Sequence, residues 1–151
     1  MSNAVAIELF STSNKNSVLN LLMEAGLPIE DLTNNKLKSF MIAKDKEGSV
    51  IGAVGVEMYH KIGLLRSLVV HSNYRGKGLG RHLTREIESF AGKNGIKTLY
   101  LLTMTAADFF PRLGYKVTQR EKVPESIRKT EEFKSVCPVS AVCLFKVLDV
   151  V

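Results

Sequence analysis

The sequence predicts an α+β fold built on a mixed sheet, and three observations carry that expectation. Three apolar segments, residues 40–43, 50–59 and 63–70, follow one another across the short turns 44–48 and 60–61, as the strands of an antiparallel meander do. The periodicity then changes: Leu79, Leu83, Ile87, Phe90 and Ala91 recur at helical spacing and give one helix a clean apolar face. Beyond that helix a strand over 98–102, a short helix over 106–112 and a strand over 115–119 follow, and this strand, helix, strand succession implies a right-handed crossover with the two strands as parallel neighbours.

The remaining elements read in order. Residues 5–10 alternate weakly, as a first strand. Ser11, Thr12, Ser13 and Asn14 offer N-caps to a helix whose Val18, Leu21, Leu22 and Ala25 share a face, and Gly26 with Pro28 ends it. The mixed polar stretch 29–38 allows a short second helix over the site. Gly92, Asn94 and Gly95 punctuate the end of the long helix. Residues 98–102 read as a strand, 106–112 as a short helix and 115–119 as another strand. A polar segment containing Pro124 and Pro138 leads to a last strand over 141–148. No internal repeat and no low-complexity segment interrupts the chain.

A length of 151 residues fits one domain spanning 1–151, long enough to bury a core without staples. Residues 1–4, Met-Ser-Asn-Ala, read in part as an expression scar and are set aside. With 45% hydrophobic and 24% charged residues, the composition is that of a soluble globule. No apolar run reaches the length of a membrane span and no signal-peptide pattern opens the chain, so a cytoplasmic protein without a membrane partner is expected. Cys137 and Cys143 make no disulfide framework, and with three scattered histidines no metal site is expected. The net charge of +6 has one local concentration, at Arg75, Lys77, Arg81 and Arg85. A nucleic-acid binder would show a longer basic stripe or interleaved aromatics; a phosphate-rich small molecule explains the cluster better.

Residues 68–81, Leu-Val-Val-His-Ser-Asn-Tyr-Arg-Gly-Lys-Gly-Leu-Gly-Arg, run from a strand through a glycine-dense turn into the long helix. A helix N-terminus presents amides without intrahelical partners and a partial positive charge. Glycines lack Cβ atoms, so an anion can approach those amides closely. The phosphate loop of nucleotide hydrolases is excluded, because its Gly-Lys-Ser or Gly-Lys-Thr ending is absent. A dinucleotide fingerprint would need glycine where Arg81 stands, early in a parallel sheet rather than after a meander.

The segment Arg75-x-x-Gly78-x-Gly80 resembles the pyrophosphate loop of the GNAT N-acetyltransferases. Residues 109–115, Phe-Phe-Pro-Arg-Leu-Gly-Tyr, are similar to a second segment of that family, and the two stand at the family's mutual spacing. The resemblance implies a three-layer arrangement: a mixed, mostly antiparallel sheet of six or seven strands, splayed between strands 4 and 5, with helices on both faces. It implies acetyl-CoA as cosubstrate, coenzyme A as product and a small amine as acceptor, acted on by a monomer or homodimer. By position, the backbone at Leu68, Val69 and Val70 would bond the pantetheine arm. The amides of Arg75, Gly76, Lys77, Gly78, Leu79, Gly80 and Arg81 would hold the pyrophosphate.

Direct acetyl transfer needs a neutral amine, a polarised thioester and a tolerated thiolate. A backbone N–H near Val69 can polarise the carbonyl. An alkylammonium with a pKa near ~10 is about a thousandth neutral at pH 7, so a base helps. Glu57 is the candidate, because it lies among Val54, Val56 and Met58, where a carboxylate is unusual; a solvent-facing position or a hairpin ion pair stays open for it. Arg66, which interrupts an apolar run, is a candidate for an acidic group of the substrate, with a surface or interstrand pair as the alternative. The family often protonates the thiolate with a tyrosine, which falls on Phe110 here, and a common asparagine contact to the cosubstrate falls on Thr103. Tyr100 and Thr105 are hydroxyls that could replace the missing acid. The tail from Thr130 to Cys143 resembles acetyltransferases associated with bacterial arsenic-resistance operons, which suggests an organoarsenical acceptor and a thiophilic ligand at Cys137 and Cys143, against which both read as buried small hydrophobes. The expected function is therefore small-molecule N-acetyl transfer. The alternative is a catalytically weak acyl-coenzyme A-binding or regulatory module.

Overall fold

The computed structural model describes residues 5–104, 106–135 and 141–148. Its strands are β1 (Ala6–Leu9), β2 (Phe40–Lys44), β3 (Val50–Tyr59), β4 (Ile62–Val70), β5 (Thr98–Thr103), β6 (Lys116–Thr118) and β7 (Val142–Val147). They form one seven-stranded sheet in the order β1-β2-β3-β4-β5-β7-β6. The helices are α1 (Lys15–Glu24), α2 (Asn34–Leu37), α3 (Leu79–Lys93), α4 (Glu125–Arg128) and α5 (Glu131–Ser135). β2 runs antiparallel to both β1 and β3, and β7 runs antiparallel to both β5 and β6. β4 and β5 are parallel, matching Ile62, Gly63 and Leu64 with Thr98, Leu99 and Tyr100. The mixed sheet is therefore as expected, and the chain divides into two compact units, Met1–Val56 with Ser67–Ser89 and Glu57–Arg66 with Phe90–Val151.

In the first unit, α1 lays Val18, Leu21 and Leu22 over Phe40, Ile42, Ala53 and Val69, and Leu32 and Leu37 close the same cluster. The Leu27 amide donates to the Leu22 carbonyl at 3.0 Å just past Gly26, which ends the helix. Successive strand residues point to opposite faces. Ala53 faces α1, so its neighbour Gly52 faces the other way, where a Cβ would stand 2.9 Å from Leu83 of α3. The two helices thus cover opposite faces of the same strands. Leu79, Leu83 and Ile87 are buried along α3, the apolar stripe that the spacing predicts.

In the second unit, Leu64, Leu102, Ala141 and Cys143 pack with Val123, Ile127 and Phe133. The segment 120–135, read from sequence only as polar, contains α4 and α5. Each is about one turn long, too short for an apolar period to repeat. Thr130 fixes the junction: its Oγ1 donates to the Ile127 carbonyl at 2.7 Å and accepts the Phe133 amide at 3.1 Å.

Two expectations are corrected. Residues 106–112 do not form a helix; turns lead to a single 3₁₀ turn at Phe110–Leu113. Pro111, with no N–H to donate, belongs at the first turn of a helix and not in a ladder that runs through it. β5 and β6 are not neighbours either, because β7 lies between them. β6 has three residues, with Val117 66% exposed, whereas β7 buries Cys143 and Leu144. The more apolar strand takes the interior place and the short polar one the edge.

Candidate functional site

The first unit builds an amide cradle at the end of β4. Within β4, Ser67 adopts φ of 60°, a left-handed conformation that costs an L-residue about 1–2 kcal/mol. Nothing in its side chain signals this in the sequence. Leu68 and Val70 are half-buried and Val69 is buried. His71 then caps a 3₁₀ turn, Ser72–Tyr74: its Nδ1 accepts the Asn73 amide at 3.1 Å. Arg75 folds back so that its Nε donates to the Val70 carbonyl at 2.9 Å.

Gly76 and Gly78 follow with φ of 79° and 85°, and a Cβ on either would meet nothing within 4 Å. Backbone conformation, not crowding, demands glycine there. The first bond of the helix runs from the His82 amide to the Gly78 carbonyl at 3.0 Å. The amides of Leu79, Gly80 and Arg81 therefore precede the ladder, at the positive end of a 15-residue helix. A cavity of about 280 Å³ adjoins them, lined by Val5, Tyr74, Lys77, Gly78, Leu79 and His82. A second, of about 160 Å³, touches the end of α1 and the end of β4, including Glu24, Val69, Val70 and Arg75.

Tyr74 ties this loop to the β2–β3 turn. Its hydroxyl donates to Oδ2 of Asp45 at 3.3 Å, and the Lys77 ammonium lies 5.8 Å from its ring centroid. Asp45 also accepts the amides of Ser49 at 2.9 Å and Glu47 at 3.0 Å. The Ser49 amide, then the Glu47 amide and the Tyr74 hydroxyl, hold the Asp45 carboxyl below its ordinary value. Lost solvation, then the Asp45 charge, raises the Tyr74 phenol.

In the second unit, Glu57 and Arg66 meet. The hairpin ion pair left open for both is present: Arg66 Nη1 donates to Glu57 Oε2 at 2.6 Å. Tyr59 donates to the other oxygen, Oε1, at 2.5 Å. Glu132 of α5, which the sequence reading missed, places Oε1 3.3 Å from Arg66 Nη2. All three charged residues are buried, and the Arg66 side chain is 0% exposed. The only sequence signal for Glu132 was a threonine followed by Glu-Glu-Phe, a minimal helix start.

Phe110 is buried edge-on against Phe109 and Tyr115, at centroid distances of 5.1 and 5.4 Å. The Thr103 hydroxyl accepts the Ala106 amide at 2.9 Å and so caps the turn after β5. Tyr100 stacks on Phe145 at 6.1 Å. Cys143 is buried in the apolar cluster of the second unit. Thr105 and Cys137 lie outside the described residues. Among the described residues, no group of three or more His, Cys, Asp or Glu side chains is placed to hold a metal ion. No helix among them is long and apolar enough to cross a membrane.

A mixed sheet whose fourth strand enters a glycine turn and an amide-presenting helix defines an α+β domain with a place for an anion at that helix N-terminus. Residues 36–117, more than half of the chain, match the model of the acetyltransferase (GNAT) domain, and the chain belongs to that family. It is 35% identical over 92 residues to an uncharacterized N-acetyltransferase, CT2212, of Chlorobaculum tepidum, covering 60% of this chain and 58% of that one. It is 28% identical over 96 residues to an amino-acid acetyltransferase of Pseudomonas fluorescens, covering 62% of this chain and 22% of that one. The fold is shared with N-acetylglutamate synthase from Neisseria gonorrhoeae, complexed with coenzyme A and N-acetyl-glutamate. That match has a TM-score of 0.85 at 20% identity, over 99% of this chain and 36% of that one. The chain thus spans less than two thirds of the length of each of these relatives.

Proposed function

We propose that this chain transfers the acetyl group of acetyl-CoA to the amine of a small, amino-acid-like acceptor, by direct attack of the amine on the thioester. The observation that carries the reading is the cradle at Gly76 and Gly78, where left-handed glycines leave the leading amides of α3 open to a diphosphate. In this reading the amides from Gly76 to Arg81 hold the pyrophosphate, while that of Arg75, also expected to do so, already donates to the Ser72 carbonyl at 3.4 Å. The backbone of Leu68, Val69 and Val70 aligns the pantetheine arm, and an amide near Val69 polarises the thioester carbonyl. Arg75 exchanges its bond to the Val70 carbonyl for the arriving donor. The names of the relatives, an amino-acid acetyltransferase among them, support the acceptor class.

The amine nitrogen forms the new bond to the carbonyl carbon, the carbon–sulfur bond breaks, and the sulfur leaves as thiolate. The amine proton passes to Glu57, directly or through water. A carboxylate offers about four acceptor directions, so bonds from Tyr59 and Arg66, one on each oxygen, are compatible with that role. We assign Arg66 to holding Glu57 rather than to an acidic group of the acceptor, because its guanidinium is spent on two carboxylates of the chain. Phe110 and Thr103 line the donor without supplying a proton. A thiol pKa of about 8.5 makes the thiolate a tolerable leaving group near neutrality. The reaction belongs to the cytoplasm, where thiols stay reduced.

One observation favours a second reading. Phe110 offers no hydroxyl, and that of Thr103 is bonded within the chain, as suits a weakly catalytic acyl-coenzyme A-binding module. Incubation with acetyl-CoA and a panel of amino acids, simple amines and an amine-bearing organoarsenical, read as thiol release, separates the two. Release that depends on an acceptor is expected, and its identity tests the arsenical acceptor suggested by the tail. Binding of acetyl-CoA with no acceptor-dependent release would favour the module. For an active acceptor, Glu57→Gln should displace the acid limb of the rate profile; an unchanged profile removes Glu57 as base.

A further inference from the structure

We infer that Glu132 is a positioning residue for Glu57, acting through Arg66; the inference rests on Glu57 being the base of the proposed reaction. Arg66 presents a rigid planar fork of donors. One arm donates to Glu57 at 2.6 Å, and the other stands 3.3 Å from Glu132 Oε1, an ion-pair contact without hydrogen-bond geometry, so the guanidinium is drawn by charge at both ends. Rotation of that plane would carry the Glu57 carboxylate with it. Tyr59 holds the remaining oxygen of Glu57 at 2.5 Å, which completes a chain of four side chains from β3, β4 and α5.

The far end of that chain is anchored. Thr130 locks the start of α5 by its bonds to Ile127 and Phe133, and both of those side chains are buried in the apolar cluster. Glu132 therefore stands on a short but fixed segment. It also lies outside residues 36–117, beyond the part of the chain that matches the family model. Stability alone is a poor reason for the arrangement. Burying two carboxylates and a guanidinium costs several kcal/mol per ion, and apolar replacements of whole buried clusters are often neutral or stabilising. A cluster that fixes the orientation of a reacting carboxylate has a reason to carry that cost.

The test is a double-mutant cycle on kcat and on KM for acetyl-CoA, using Glu57→Gln, Glu132→Gln and the pair, with an acceptor found active in the panel. Glu57→Gln should lower kcat about a hundredfold. Glu132→Gln should lower it about tenfold with KM for acetyl-CoA unchanged, as expected for an interaction made in the transition state. The double variant should be no slower than Glu57→Gln alone, because a residue that acts only through Glu57 has nothing left to position. Losses that multiply, or wild-type kcat in Glu132→Gln, would overturn the inference while leaving Glu57 as base. Wild-type kcat in Glu57→Gln would overturn the base assignment itself, and the positioning role with it. Should Glu132→Gln fail to fold, Glu132→Asp, which keeps the charge and withdraws it by one methylene, takes its place in the cycle. The same non-multiplying loss is then expected, and wild-type kcat would overturn the inference.

Discussion

Arg66 donates from Nη1 to Oε2 of Glu57 at 2.6 Å, with the arginine side chain wholly sealed from water. Removing the cation leaves two buried carboxylates facing each other, so Arg66→Met should destabilise the chain by about 3–5 kcal/mol. Arg66→Lys should recover little, because a compact ammonium cannot span both carboxylates as a planar fork does. Replacing Glu57, Arg66 and Glu132 together by Leu, Met and Leu should recover most of the loss. Midpoints of urea unfolding measure all three. A loss under about 0.5 kcal/mol in Arg66→Met, the range of ordinary surface changes, would contradict this description of the cluster.

At the cradle, Gly78→Glu puts bulk and negative charge where the phosphates would sit, at a residue with φ of 85°. Calorimetric titration with acetyl-CoA should show no binding. Gly78→Ala separates the contributions: the backbone strain of about 1–2 kcal/mol remains, while the added charge is absent, so weakened binding is expected. Unchanged affinity in Gly78→Glu would show that the loop is misassigned.

Gly55 is matched with Phe40 across β2 and β3, and a Cβ built on Gly55 would fall on the Phe40 ring. A ring buried to 0% exposure has little room to withdraw. Gly55→Ala should therefore cost about 1–3 kcal/mol by overpacking. Combining it with Phe40→Leu should cost less than the sum of the two single losses, read from unfolding midpoints. Additive losses would show that the two residues do not meet.

Asp45 gives a pH test of the turn beneath Tyr74. Its carboxyl is held below the ordinary value of 3.8, first by the Ser49 amide, so the folded state favours the ionised form. The resulting stability is present in full above the unfolded value and is lost as the pH falls through the lower folded value. Asp45→Asn should therefore be less stable than the wild type at neutral pH, and the gap should close in acid. Thermal melts between pH 7 and pH 2 measure it; a gap that persists unchanged at the lowest pH would remove the carboxylate as its source.

The long elements and the cradle were legible because each repeats its signal. Leu79, Leu83 and Ile87 declare the face of α3 over three turns, and the glycines at 76 and 78 mark a turn that L-residues rarely adopt. What escaped was short or tertiary. α4 and α5 carry no period, so Glu132 could not be placed beside Arg66 from sequence. The place of β7 between β5 and β6 depends on which strand has more apolar surface to hide, a comparison between distant segments. Ser67 in the left-handed region is announced by nothing in its own chemistry, because a serine has no preference for positive φ. The pairing of Glu57 with Arg66 was half legible: both charges stood out in apolar strands, but their contact needed the hairpin register.

On the proposed function, the amides leading into α3 grip a diphosphate. Backbone amide NMR of the full chain, titrated with coenzyme A, reads those groups one by one. Saturable shifts concentrated at Gly76, Lys77, Gly78, Leu79, Gly80 and Arg81 are expected. Saturation of the protein with coenzyme A while those six resonances stay in place would contradict that grip.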